Sequence, residues 1–105
     1  MSDSHLVQLL VPLRDNAGAP FPPSHHAALR AELIDRFGGL TSYARAPAQG
    51  TWQEHADAPQ HDDLVVYEVM VDVLDAPWWS ALRTRLEQRF AQEELVIRAI
   101  RVSRL

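Results

Sequence analysis

The chain contains no cysteine, and none of its ten basic residues is a lysine. Without cysteine there is no disulfide, no thiolate metal site and no cysteine nucleophile. The ten arginines are dispersed, so the dense basic patch of a nucleic-acid binder is missing and no nucleic-acid partner is expected. No apolar run approaches the ~20 residues that a bilayer-spanning helix requires, so no membrane association is expected. Met1-Ser2-Asp3-Ser4-His5 has neither the basic flank nor the apolar stretch of a signal peptide, which makes the cytoplasm the expected compartment. A nucleophile elbow, a Walker loop and a dinucleotide-binding glycine pattern are all lacking. No cofactor is implied.

What remains is an ordinary globular composition. Of 105 residues, 47% are apolar and 23% charged, the balance of one domain spanning residues 1–105. The net charge of -4 is unevenly spread. Residues 1–52 hold four arginines and four acids, residues 53–76 seven acids and no base, and residues 77–105 six arginines and three acids. The acidic segment meeting the arginine-rich last third, within or between subunits, is the simplest use of this pattern.

Hydrophobic periodicity orders the elements. His5 to Leu13 alternates as a strand that Pro12 brings toward its end. Proline and glycine between Arg14 and Pro23 predict a turn. Ser24 is the expected N-cap of a helix reaching Phe37, with Leu29, Leu33 and Phe37 as its apolar stripe and Ile34 beside it. Gly38-Gly39 stops it. Leu40 to Ala46 reads as a short strand, Pro47 to Gly50 as a turn and Glu54 to Asp63 as an acidic loop. Leu64 to Leu74 is the clearest strand, with Val65, Tyr67, Val69, Val71 and Val73 on one face. Asp75 or Ala76 caps a second helix with Pro77 in its first turn and Trp79, Leu82, Leu86 and Phe90 as its stripe. Trp79 is expected in the core and Trp78 against a neighbouring loop or subunit. Leu95 to Leu105 is a final strand.

The order β-α-β-β-α-β predicts an α+β, ferredoxin-like fold, a four-stranded antiparallel sheet with two helices on one face. An internal echo accompanies it: ALRAELIDRFGG at 28–39 and ALRTRLEQRFAQ at 81–92 agree at six of twelve positions. Amphipathic helices converge on such patterns, and on either view the two helices are interchangeable packers on the sheet.

Alternation also assigns the other face of the sheet. Leu6, Gln8, Leu10, Leu64, Val66, Glu68, Met70, Asp72 and Leu74 should point away from the helices. Such a face is too apolar for solvent. The expected cover is a second copy of the chain in a two-fold homodimer; a C-terminal tail or the 41–63 segment folded over the face is the alternative. Glu68 on that surface must be paired, ligand-bound or protonated, and Arg98 or Arg101 is within expected reach. The candidate ligand-binding residues are Tyr43, Arg45, Trp52, Glu68 and Gln8, with Glu68 the candidate catalytic group. Trp52 either roofs a pocket near Tyr43 and Glu68 or staples its loop to the domain. No metal is expected: His55, Asp57 and His61 have ligand chemistry, but their spacing matches no ligand motif. His25 and His26, in the first turn of a helix, are expected neutral and exposed; His26 alternatively edges the core.

The segment Phe37-Gly38-Gly39-Leu40-Thr41, with Tyr43, Pro47, Gly50 and Trp52, is similar to a family of small bacterial proteins carrying an FGGxT…PxxGxW segment. Val65 to Val71, Trp78-Trp79 and Arg89 to Glu94 fit as well, so the resemblance covers about residues 5–105. It implies a ferredoxin-like fold and no particular reaction. More remotely the plan resembles the dimeric α/β-barrel superfamily, which includes cofactor-light monooxygenases and small-molecule binders. Three functional readings follow. One is a homodimer binding a small ligand between the sheet and the 41–63 loop. Another is a small monooxygenase- or isomerase-like enzyme using Glu68. The last is an interaction or regulatory module without a pocket.

Overall fold

The computed structural model describes residues 2–45 and 64–105. Its elements run β1 (Ser2–Pro12), α1 (Pro23–Phe37), β2 (Thr41–Arg45), β3 (Leu64–Val71), α2 (Ala76–Arg89) and β4 (Val96–Arg104). The strands form one sheet in the order β2-β3-β1-β4, and every neighbouring pair is antiparallel. This is the expected ferredoxin-like α+β arrangement, two split β-α-β units interleaved in one sheet.

Both helices bury their stripes on the same side. Val7, Leu9 and Val11 of β1 and Tyr67, Val69 and Val71 of β3 meet Leu29, Leu33, Trp79, Leu82, Leu86 and Phe90 in one core cluster. Each fully buried Leu or Phe contributes about 1.5–3 kcal/mol relative to exposure. Trp78 is half-buried and packs on the end of α1, edge-on to Phe37 at 5.4 Å and beneath the Arg36 guanidinium at 4.2 Å.

Several element ends differ from expectation. Ser24 does not cap α1: Pro22 holds the N-cap position, Pro23 opens the helix and no side chain caps it. Proline at the first helical position has its φ preset and lacks an N–H that would go unpaired, so the diproline starts the helix without a hydroxyl. β3 ends at Val71 rather than Leu74, and Val73 is 81% exposed instead of extending the core face. The chain bends there to bring Asp75 to the start of α2, where its carboxylate accepts from the Trp78 N–H at 3.2 Å. Leu95 is buried but precedes β4, its N–H donating to Glu87 Oε2 at 3.0 Å. Ile34, beside the stripe, is half exposed.

The sequence echo has a structural counterpart. Leu29 and Leu82, and Leu33 and Leu86, are equivalent pairs and all four are fully buried. One step beyond the matched phenylalanines, Gly38 has φ 79° and Ala91 has φ 50°. The Gly38 N–H returns to the Ile34 carbonyl at 2.7 Å, and the Gln92 N–H reaches the Glu87 carbonyl at 2.9 Å. Both helices thus end through a left-handed residue, which costs glycine nothing and alanine about 1–2 kcal/mol.

Candidate functional site

The antiparallel register lays the face opposite the helices out in rows. Thr41, Glu68, Gln8 and Arg98 are consecutive partners across all four strands. On one side lies the row Tyr43, Val66, Leu10 and Val96, and on the other Met70, Leu6 and Ile100. A polar row therefore crosses a largely apolar face, at whose far end Ser4 donates to Asp72 at 3.1 Å. Tyr43, Met70, Val96 and Ile100 are 44–49% exposed.

The polar row is hydrogen-bonded end to end. Arg98 Nε donates to Gln8 Oε1 at 2.8 Å, and Gln8 Nε2 donates to Glu68 Oε2 at 2.7 Å. The Tyr43 hydroxyl, one row over, donates to the same Glu68 oxygen at 3.1 Å. Gln8 is buried, and its amide uses both ends to join a guanidinium to a carboxylate. Among the described residues no hydrogen bond reaches Glu68 Oε1. Beside it Glu68, Thr41, Leu40 and Met70 line a recess of about 240 Å3 at the β2 edge.

Of the expected site residues, the structure brings together Gln8, Tyr43 and Glu68. Arg98 joins them; Arg101 does not, because its position on β4 is opposite His5, on the helix side, and its Nη2 lies 3.9 Å from Asp3. Arg45 is placed by its backbone alone, opposite Leu64 at the end of β2. Trp52, His55, Asp57 and His61 lie outside the described residues. Among the described residues no group of three or more His, Asp or Glu side chains is placed to hold a metal ion, and no helix is long and apolar enough to cross a membrane.

A second polar cluster was not foreseen. His26, expected either exposed or edging the core, is 7% exposed. Its Nε2 is 3.0 Å from the Pro12 carbonyl oxygen and its Nδ1 is 2.6 Å from the Tyr67 hydroxyl. A carbonyl only accepts, so the proton sits on Nε2 and the Tyr67 O–H donates to Nδ1. Burial pushes the His26 pKa down, and the nearby Arg30 and His25 act in the same direction. Burial raises that of Tyr67 against the opposing influence of Arg30. Both side chains are therefore held neutral. The only signal for this in the sequence is the position of His26, one turn before Leu29 on the buried stripe.

Comparison of the chain with protein-family models, curated proteins and solved structures returns no match.

Proposed function

We propose that the chain works as a homodimer whose two open sheet faces pack together, and that the Tyr43–Glu68–Gln8 cluster orients a small hydrogen-bond-donating ligand within the enclosed layer. The observation that carries this is the hydrogen-bonded polar row on a largely apolar face whose Tyr43, Met70, Val96 and Ile100 are half exposed. Monomers rarely leave such a patch uncovered.

A second copy is the occupant that fits. The face measures roughly 20 by 25 Å from strand spacing and rise. With side-chain relief its accessible area approaches the ~800 Å2 per partner of a standard interface. It carries charges of both signs: Glu68 on β3 and Asp72 just beyond its end, with Arg98 and Arg104 on β4 and Arg45 at the end of β2, Asp72 and Arg104 lying 3.9 Å apart. A face of mixed charge can set acid against base when it meets its own copy. The arrangement is that of the dimeric α/β barrels, the more remote of the two resemblances in the sequence.

Enclosure gives Glu68 its role. Oε2 is held by two donors, so the carboxylate has one orientation, and Oε1 is presented to whatever enters. The same oxygen would serve as the base in an enzymatic version of the site.

Light scattering on eluting protein tests the dimer. Wild type should elute at twice 11.9 kDa, and Ile100→Arg, which places a charge at the β4 end of the apolar row Met70, Leu6 and Ile100 without touching the helix-side core, should elute as a folded monomer. Equal masses for the two proteins would overturn the proposal.

A further inference from the structure

A cavity of about 610 Å3 opens on the helix side of the sheet, between the first turns of α1 and strands β2 and β3. That volume lies within the ~300–1,000 Å3 range of small-molecule sites. Its walls are apolar, with Leu13, Phe21 and Val65 among them, and His26 and Tyr67 line it together with Arg30 and Arg14.

The ionisable lining is one-sided. Among the described residues around the cavity there are two arginines and no Asp or Glu, in a chain of net charge -4. Arg14 stands on an ordered turn, its Nη1 donating to the Gly18 carbonyl at 3.2 Å. Arg30 forms no ion pair with a carboxylate among the described residues. The hydroxyl proton of Tyr67 is committed to His26, so an incoming anion must be held by guanidinium.

The internal repeat supplies a control. In the echo, His26 corresponds to Trp79 and Arg30 to Arg83. The equivalent cavity of the second half, between α2 and strands β1 and β4, is lined by Trp79, Arg83, Val7 and Ile97 and measures about 230 Å3. The second half puts a large indole where the first half puts an imidazole. The first half thus keeps the arginine and opens the space beside it.

We propose that the first-half cavity binds a small organic carboxylate with an apolar or aromatic body. The carboxylate meets Arg30, and the body lies against Phe21 and Val65. Planar guanidinium suits a carboxylate through two parallel N–H bonds. The apolar walls exclude strongly hydrated inorganic anions. Arg30 lies on the opposite side of the sheet from the dimer face, and Tyr43 at the β2 edge borders both sites.

Amide chemical-shift titration of the full chain with benzoate, benzamide and inorganic phosphate tests the proposal. Benzoate should shift the amides of Arg30, Ser42 and Val65, and benzamide and phosphate should bind about tenfold more weakly or worse. Arg30→Gln should weaken benzoate by about tenfold or more, since one charge-assisted pair is lost. Ala44→Trp, which fills the cavity from β2 and keeps both arginines, should also block benzoate. Both positions are exposed, and an unchanged amide spectrum elsewhere shows that the variants fold. Equal binding of benzoate and benzamide, shifts confined to other parts of the chain, no binding at all, or Arg30→Gln binding like wild type would each overturn it.

Discussion

The side-chain amide of Gln8 donates to Glu68 Oε2 across 2.7 Å while its carbonyl accepts from Arg98 Nε at 2.8 Å. Gln8 is thus the link between an acid on β3 and a base on β4 that do not bond each other. Truncation to Gln8→Ala removes both bonds and leaves Glu68, among the described residues, with the Tyr43 hydroxyl. The expected cost is about 1–3 kcal/mol, because the groups left behind are partly buried and unsatisfied. Urea denaturation measures it. A double-mutant cycle with Arg98→Ala should give a coupling of at least about 0.5 kcal/mol, and additive losses would show that the row does not act as a unit.

The two left-handed helix ends make opposite predictions. Nothing lies within 4 Å of a Cβ added at Gly38, so Gly38→Ala meets only backbone strain at φ 79°. It should lose about 1 kcal/mol. At the equivalent Ala91 the strain is already present, so Ala91→Gly should gain roughly 0.5–1 kcal/mol after the unfolded-state entropy of glycine is subtracted. Thermal unfolding of the two variants should move in opposite directions.

His26 predicts acid sensitivity. Its folded pKa lies below the ordinary value of 6.5. Above 6.5 the imidazole is neutral in both states and the native contacts are intact. As pH falls below 6.5 the unfolded chain takes up a proton that the native state refuses, so stability drops until the lowered native pKa is passed. His26→Gln should be less stable at pH 7.5 but should lose less on going to pH 5.5. Parallel pH profiles for variant and wild type would assign the acid sensitivity elsewhere.

Glu32 and Arg85 clamp the two helices with a two-bond pair at 2.7 and 3.2 Å. The Arg85 hydrogen bond holds the Glu32 carboxyl below its usual value of 4.5, and desolvation opposes it only in part. The pair is partly exposed, so Glu32→Gln should cost no more than about 0.5–1 kcal/mol. That contribution is present above pH 4.5 and lost as pH falls through the lowered value. Added salt should shrink the difference between variant and wild type.

The fold was legible because its signals were long and redundant. Alternation in β1 and β3 placed every described residue of the two faces correctly up to Val71, and the row containing Gln8, Glu68 and Arg98 follows from that alternation once β1 is flanked by β3 and β4. The start of α1 was misread because a serine after two prolines resembles a cap, whereas the prolines themselves do that work. Val73 was misread because period-two hydrophobicity ran past the bend that Asp75 requires. For His26 the alternative of edging the core is the one that holds, and its position one turn before Leu29 is the local mark of that burial. Its partners, Pro12 and Tyr67, are 14 and 41 residues away and come together only through the sheet. The 610 Å3 cavity was invisible for the same reason, although the echo that explains its size was already visible in the sequence.

The central claim is that the open sheet face is covered by a second copy of the chain. Sedimentation equilibrium of the wild-type protein from low to high micromolar concentration tests it most directly. A single species of twice 11.9 kDa at the upper concentrations, dissociating on dilution if at all, is the predicted result. A species of 11.9 kDa throughout that range would contradict it.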